Sequence, residues 1–326
     1  MIDRRAFLAA LGLGALAAPL AVEAQQTGRV YRVGILSPTA PFSVGVAARI
    51  PASLLELGYV EGRNLAVETR HADGKLDRLP GLARELVQLR VDVIVAVSAS
   101  AIRAARDATT TIPIIIFGNL DPVAAGFAAS LARPGGNLTG ILMAPDGTLA
   151  AKKLELLKEA VPRAARIAFL APDDPNFRSQ VQEAQKAASS LGLELVVVEV
   201  RDGDYERAFA SMAAVRPGAL FVGASTFFSR DRKRIIQLAL KHRLPAIYEW
   251  PDQAEDGGLM AYGTSRSELD RRMAAYLDRI FKGAKPGDLP IEQPSKFELV
   301  INLKTAKALG LTIPQSLLLR ADEVIQ

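Results

Sequence analysis

Ser98-Ala99-Ser100 is the segment best suited to chemistry. It follows a buried-type strand (92–97) and precedes a helical pattern (101–108). Two hydroxyls therefore meet the unpaired N–H groups of a first helical turn and the positive end of its dipole, which together suit a carboxylate. Either serine can instead cap the helix. Asp121-Pro122 offers a second option. Pro122 suits the first position of a helix over 122–131, with Asp121 as its cap, and the same carboxylate could take a ligand ammonium. Ser37, Asn119, Asp173, Ser225 and Glu249 also lie just past expected strands, and Tyr262 ends one. Phe42, Phe227, Phe228 and Trp250 supply aromatic surface to stack on a ligand or close over it.

Other chemistries lack their residues. The first strand runs into Leu36-Ser37-Pro38-Thr39 rather than a glycine-rich turn, which argues against a dinucleotide. Gly74-Lys75 lacks the glycine spacing of a phosphate loop. His71 and His242 are the only histidines and read as a strand-end residue and a helix C-terminal residue, the latter favoured by the helix dipole. No Gly-x-Ser-x-Gly elbow surrounds Ser98 or Ser100. With Cys 0, disulfides, a thiolate nucleophile and thiolate metal sites are excluded. No cofactor and no metal are expected. The net charge of +5 is mild, and basic residues interleave with acidic ones, as in Arg230-Asp231-Arg232-Lys233-Arg234. Such runs read as solvated helix faces, not a nucleic-acid arm.

These groups must be positioned by the elements around them. Short β-branched runs at 33–36, 65–69, 92–97, 112–117 and 138–143 alternate with helical patterns at 47–57, 79–87, 101–108 and 122–131. Leu79, Leu82, Ala83, Leu86 and Val87 keep the i, i+3, i+4 spacing of one helix face. The rhythm restarts with strands at 167–170, 194–200, 219–222, 246–248 and 259–262, and helices at 149–161, 177–191, 205–215, 230–242 and 268–281. Repeated strand–helix alternation implies an α/β fold of two Rossmann-like units, each a parallel sheet with helices on both faces. Ligands bind such sheets beyond the carboxyl ends of their strands, where the candidates above lie.

The first residues carry an address. Arg4 and Arg5 precede an uncharged apolar run over 6–22, and Val22-Glu23-Ala24 places small residues at a cleavage site. This is the three-part pattern of an export signal, cleaved after Ala24. It leaves roughly 300 residues, enough for two domains of about 150. Arg4-Arg5-Ala6-Phe7-Leu8 also suits a twin-arginine signal, but no cofactor site demands folding before export, which favours the general secretory route. With no Cys, a lipid anchor is excluded.

Longer stretches resemble a known family. Val33-Gly34-Ile35-Leu36, Leu57-Gly58-Tyr59-Val60-Glu61-Gly62-Arg63-Asn64, Asp121-Pro122-Val123-Ala124-Ala125-Gly126 and Pro134-Gly135-Gly136-Asn137-Leu138-Thr139-Gly140 are similar to the solute-binding proteins of ABC transporters, in the TrpX-like group with the type I periplasmic fold. The tail carries the strongest similarity, through Lys285-Pro286-Gly287-Asp288-Leu289-Pro290 and Phe297-Glu298-Leu299-Val300-Ile301-Asn302-Leu303-Lys304-Thr305-Ala306-Lys307-Ala308-Leu309-Gly310. The resemblance implies two lobes joined by a three-segment hinge near 142–145, 262–265 and 292–295. One lobe would comprise 30–142 plus 264–292, the other 143–263 plus 293–326. It further implies a monomer in the periplasm, a small-molecule ligand such as an amino acid or an aromatic or carboxylate compound, and ABC permease and ATPase partners in the inner membrane. Ser98 and Ser100 would hold an anionic group, Asp121 or Glu249 an amine, with Ser37, Phe42, Asn119, Asp173, Ser225 and Tyr262 around them. The rival readings are a periplasmic ligand sensor and an exported α/β hydrolase.

Overall fold

The computed structural model describes residues 29–40, 45–118, 120–143, 148–174 and 177–326. The expected export signal over 1–24, Phe42 and Asn119 lie outside them. Among the described residues no helix is long and apolar enough to cross a membrane.

The first sheet is built from β1 (Tyr31–Ser37), β2 (Leu65–His71), β3 (Val93–Val97), β4 (Ile114–Gly118), β5 (Leu138–Leu142) and the late strand β11 (Ile291–Glu292). Its order is β11-β5-β4-β3-β1-β2, and every pairing is parallel. Alternate residues of each strand serve opposite faces. Val33, Ile35, Val93 and Val95 pack with α1 (Val46–Leu55) and α10 (Arg266–Phe281). Leu36, Ile94, Ala96 and Ile116 pack with α2 (Leu79–Gln88) and α3 (Ala99–Ala108).

The second sheet repeats the plan. It contains β6 (Arg166–Pro172), β7 (Glu194–Val200), β8 (Ala219–Val222), β9 (Ala246–Tyr248), β10 (Met260–Thr264), β12 (Phe297–Asn302) and β13 (Glu323–Ile325), in the order β13-β12-β10-β9-β8-β6-β7. Phe169 and Phe221 face α4 (Thr148–Ala160) and α5 (Arg178–Ser190). Leu170 and Val222 face α6 (Tyr205–Val215) and α8 (Arg232–Lys241). Not every pairing here is parallel: β12 runs antiparallel to β10. It enters from the first sheet, after β11, and so runs opposite to its neighbour.

The chain therefore passes between the sheets three times, after β5, between β10 and α10, and between β11 and β12. These passages are bonded to one another. The Thr264 hydroxyl donates to the Met143 carbonyl, and the Ser265 amide donates to the Lys296 carbonyl at 3.3 Å. Arg272 on α10 reaches Glu268, the Gln293 carbonyl (3.0 Å), Glu292 (2.8 Å) and Ser295 (2.9 Å).

One expected helix is absent. Residues 122–131 form successive turns instead. Asp121 does accept from the amides of Val123 (2.9 Å) and Ala124 (3.0 Å), as a cap would. Gly126 then takes φ +69°, and the Phe127 amide closes back on the Pro122 carbonyl at 2.8 Å. A left-handed residue one turn after the cap ends the helix. Phe127 gains burial in exchange, with the guanidiniums of Arg103 and Arg106 within 5.3 Å and 5.0 Å of its ring centre.

Candidate ligand-binding cleft

In the first sheet the strand order reverses between β1 and β3, and in the second between β6 and β8. At such a switch point the loops leave to opposite sides and open a crevice. The segments after β1 and β3 and those after β6 and β8 line one common cavity. Its volume is about 110 Å³. At 10–15 Å³ for each water, that is room for roughly seven to eleven water-sized groups, the scale of an amino acid.

The first-sheet wall carries Ser37, Ser98 and Ser100. Ser98 precedes α3, yet its side chain makes no cap bond. Its hydroxyl pairs with that of Ser100 at 3.0 Å, which leaves both beside the first turn of the helix. Ser98 holds φ +82° and ψ +160°. That region belongs almost wholly to glycine and costs a residue with a side chain about 1–3 kcal/mol.

The second-sheet wall carries Asp174, Gln180 and Ser225. Ser225 caps α7 (Thr226–Arg230), its hydroxyl accepting from the Phe227 amide at 3.2 Å. Gln180 clamps Ala224, accepting from its amide at 2.7 Å and donating to its carbonyl at 3.2 Å. Gly223 permits this approach, because a β-carbon there would sit 2.8 Å from the Gln180 Oε1. Phe227 reaches toward the first wall: a β-carbon on Gly74, in the turn after β2, would lie 3.8 Å from its ring.

Trp250, Arg49 and Arg266 complete the lining. Trp250 follows β9, and its amide donates to Gln253 at 2.8 Å. Its ring packs into the first sheet's core, and the Arg266 guanidinium stacks 4.1 Å from its centre. Arg266 bonds Asp252 at 2.7 Å, and Asp252 also meets Arg232 at 3.2 Å. Arg49 forms a two-pronged bond to Asp270 at 2.8 and 3.0 Å. Burial pushes the Arg266 guanidinium down to about 10, against the opposing pull of Asp252, so it stays charged at neutral pH.

His71, at the end of β2, also lines the cavity. Its Nδ1 donates to the Thr39 carbonyl at 2.9 Å, and its buried Nε2 meets no hydrogen-bond partner among the described residues. Burial lowers its pKa, opposed by the bond to Thr39 and by Asp73. The unfolded chain therefore takes up this proton more readily than the folded one. His71 thus contributes stability fully above its ordinary value near 6.5 and less as the pH falls through it. The urea midpoint of His71→Gln should accordingly fall less between pH 7 and 5 than that of the unsubstituted protein.

Of the residues singled out from sequence, Ser37, Ser98, Ser100, Ser225, Phe227 and Trp250 meet at the cavity. The others are placed differently. Asp121 is exposed and caps its turn. Asp173 is exposed and bonds Arg201 at 3.2 Å, while its neighbour Asp174 faces the cavity. Glu249 is buried in an ion pair with Lys153. Tyr262 stacks on Phe297 with ring centres 6.0 Å apart. Phe228 is core, set edge-on to Tyr205. Arg49, Arg266 and Gln180 were not anticipated, since each sits inside or at the start of a helix with no local signal beyond its type. Among the described residues no group of three His, Cys, Asp or Glu side chains is placed to hold a metal ion.

A family model described as ABC transporter substrate binding protein matches residues 47–325. A tyrosine-binding protein of Clostridioides difficile is 26% identical over 260 residues, covering 79% of this chain and 74% of that one. A conserved domain protein of Vibrio cholerae superposes with a TM-score of 0.82 at 26% identity, over 91% of this chain and 100% of that one. An ABC domain from Streptococcus pneumonia in complex with L-Trp gives 0.81 at 25% identity, with the same coverage.

Proposed function

We propose that this chain, which belongs to the ABC transporter substrate-binding protein family, captures a small organic ligand between two lobes and delivers it to a membrane permease. The lobes are 30–142 plus 264–292 and 143–263 plus 293–326. Export to the periplasm places the protein where such capture is useful. The ligand class is an amino acid, foremost an aromatic one, in keeping with one relative named a tyrosine-binding protein and another in complex with L-Trp.

The observation that carries this reading is the cavity formed where the two switch points face each other. A ligand there touches both sheets at once, so it favours the arrangement that brings them together. A carrier needs only such differential contact, with a few polar groups in a mostly apolar pocket. The strained backbone at Ser98 keeps its hydroxyl and the helix start on one spot, ready for the ligand carboxylate.

Calorimetry of the ligand-stripped protein against L-tryptophan, L-tyrosine, L-phenylalanine and benzoate tests the reading. Ser98→Ala should weaken binding about tenfold, the loss of one hydrogen bond to a charged group. The variant keeps the same β-carbon, so the backbone strain is unchanged. Binding of none of these compounds would overturn the function. An affinity within about threefold of the unsubstituted protein (~0.7 kcal/mol) would overturn the role of Ser98.

A further inference from the structure

We infer that His71 reads the far end of the captured ligand: its Nε2 accepts a hydrogen bond from a donor there, a phenol O–H or an indole N–H, and the cleft selects ligands by that donor. The inference rests on the ligand-capture reading above.

The Nδ1 of His71 lies 2.9 Å from the Thr39 carbonyl. A carbonyl oxygen only accepts, so Nδ1 carries the proton. The neutral ring, the form that burial favours, then holds a bare lone pair on Nε2. Among the described residues, Nε2 is the one buried acceptor of the cavity lining left without a partner. The other polar groups nearby are engaged. The Ser98 and Ser100 hydroxyls pair with each other, and the Ser37 hydroxyl accepts from the Thr39 amide at 3.3 Å.

The sheet sets which part of a ligand meets this acceptor. The order β3-β1-β2 puts two strand spacings, about 10 Å, between the end of β3, where Ser98 follows, and the end of β2, where His71 stands. Ser37, on the strand between them, is the register partner of His71. An acid held at Ser98 and Ser100 therefore directs the far end of the ligand side chain past Ser37 toward His71. The lining there includes Pro38, Leu76 and, from the second wall, Phe227. Phe227 lies 3.8 Å from where a β-carbon on Gly74 would sit, three residues after His71, so the two walls meet beside the ring. A ligand with a donor at its far end satisfies Nε2 in these apolar surroundings. A ligand of the same shape without one leaves Nε2 dry and unpaired, and a site built on such a bond rejects that analogue.

Calorimetry on matched pairs tests this: L-tyrosine with L-phenylalanine, and L-tryptophan with 3-benzothienylalanine, whose sulfur replaces the indole N–H. The unsubstituted protein should bind the donor-bearing member of at least one pair about tenfold more tightly, or better. His71→Phe keeps a flat ring without the acceptor and should bind both members alike, at the level of the donor-less one. His71→Gln keeps an acceptor and should restore part of the preference. Retained binding of the donor-less member shows that each variant is folded. Nitrogen-15 spectra of histidine-labelled protein give a readout without substitution, because the chain has only two histidines. The Nε2 signal of His71 should move toward that of a protonated nitrogen with the preferred ligand and not with its donor-less partner. Equal affinity within both pairs, or a preference that survives in His71→Phe, would overturn the role of His71 while leaving capture intact. Binding of none of the four compounds would overturn capture, and the role of His71 with it.

Discussion

Lys153→Met should lower the unfolding free energy by about 3–5 kcal/mol, and Glu249→Gln should do nearly as much. The two side chains form an ion pair that is only 3% and 4% exposed. Lys153 lies on α4 and Glu249 just beyond β9, so the pair ties a helix to a strand end deep in the second sheet. Removing one partner leaves the other charge buried without its counterion, and that desolvation, more than the lost attraction, sets the size of the effect. Glu249 has a second constraint, because a β-carbon on Gly263 would sit 1.8 Å from its carbonyl oxygen. The double variant Lys153→Met with Glu249→Leu should recover most of the loss, since a well-packed apolar pair carries no such penalty. Urea unfolding of the three proteins checks this. Single variants within about 1 kcal/mol of the unsubstituted protein would show that the pair is well hydrated.

Trp250→Ala should cost about 3–5 kcal/mol of stability and most of the ligand affinity together. Trp250 is 5% exposed and lies at the cavity wall, yet its ring belongs to the core of the first sheet while its backbone follows a strand of the second. Truncation opens a void in that core and removes the surface on which the Arg266 guanidinium rests. Arg266 is left buried beside Asp252 without its aromatic cover, which adds to the cost. Trp250→Phe keeps part of the ring and should lose less on both measures. Circular dichroism melts and calorimetry separate the two effects. Because the chain contains a single tryptophan, fluorescence of the unsubstituted protein should also report ligand entry directly. Ligand binding that leaves this emission unchanged would place the ligand away from Trp250.

Much of the fold was legible because its signals are local. The β-branched runs and helical spacings placed β1 to β10 and most of the longer helices within a few residues, since a strand buried on both faces must be apolar throughout, whereas β11, β12 and β13 were not read as strands. The tail was read through family similarity. The matched family is the one that similarity pointed to. The misread segment at 122–131 turns on Gly126, whose positive φ ended the helix after one turn, a choice a helix tolerates or refuses according to what Phe127 gains by burial.

The site divides the same way. Sequence alone determined that hydroxyls at 37, 98, 100 and 225 lie at or just beyond strand ends, because strand termini and helix starts are written in near-neighbour chemistry. Only the tertiary structure decided which charges reach the cavity. Asp173 and Asp174 are adjacent in sequence, yet one pairs with Arg201 at the surface and the other faces the cavity. Glu249 is drawn inward by a lysine 96 residues away, and Arg266 reaches the cavity only because the chain returns to the first sheet after β10. A charged side chain goes where its partner and its solvent exposure allow, and both are set by residues far along the chain.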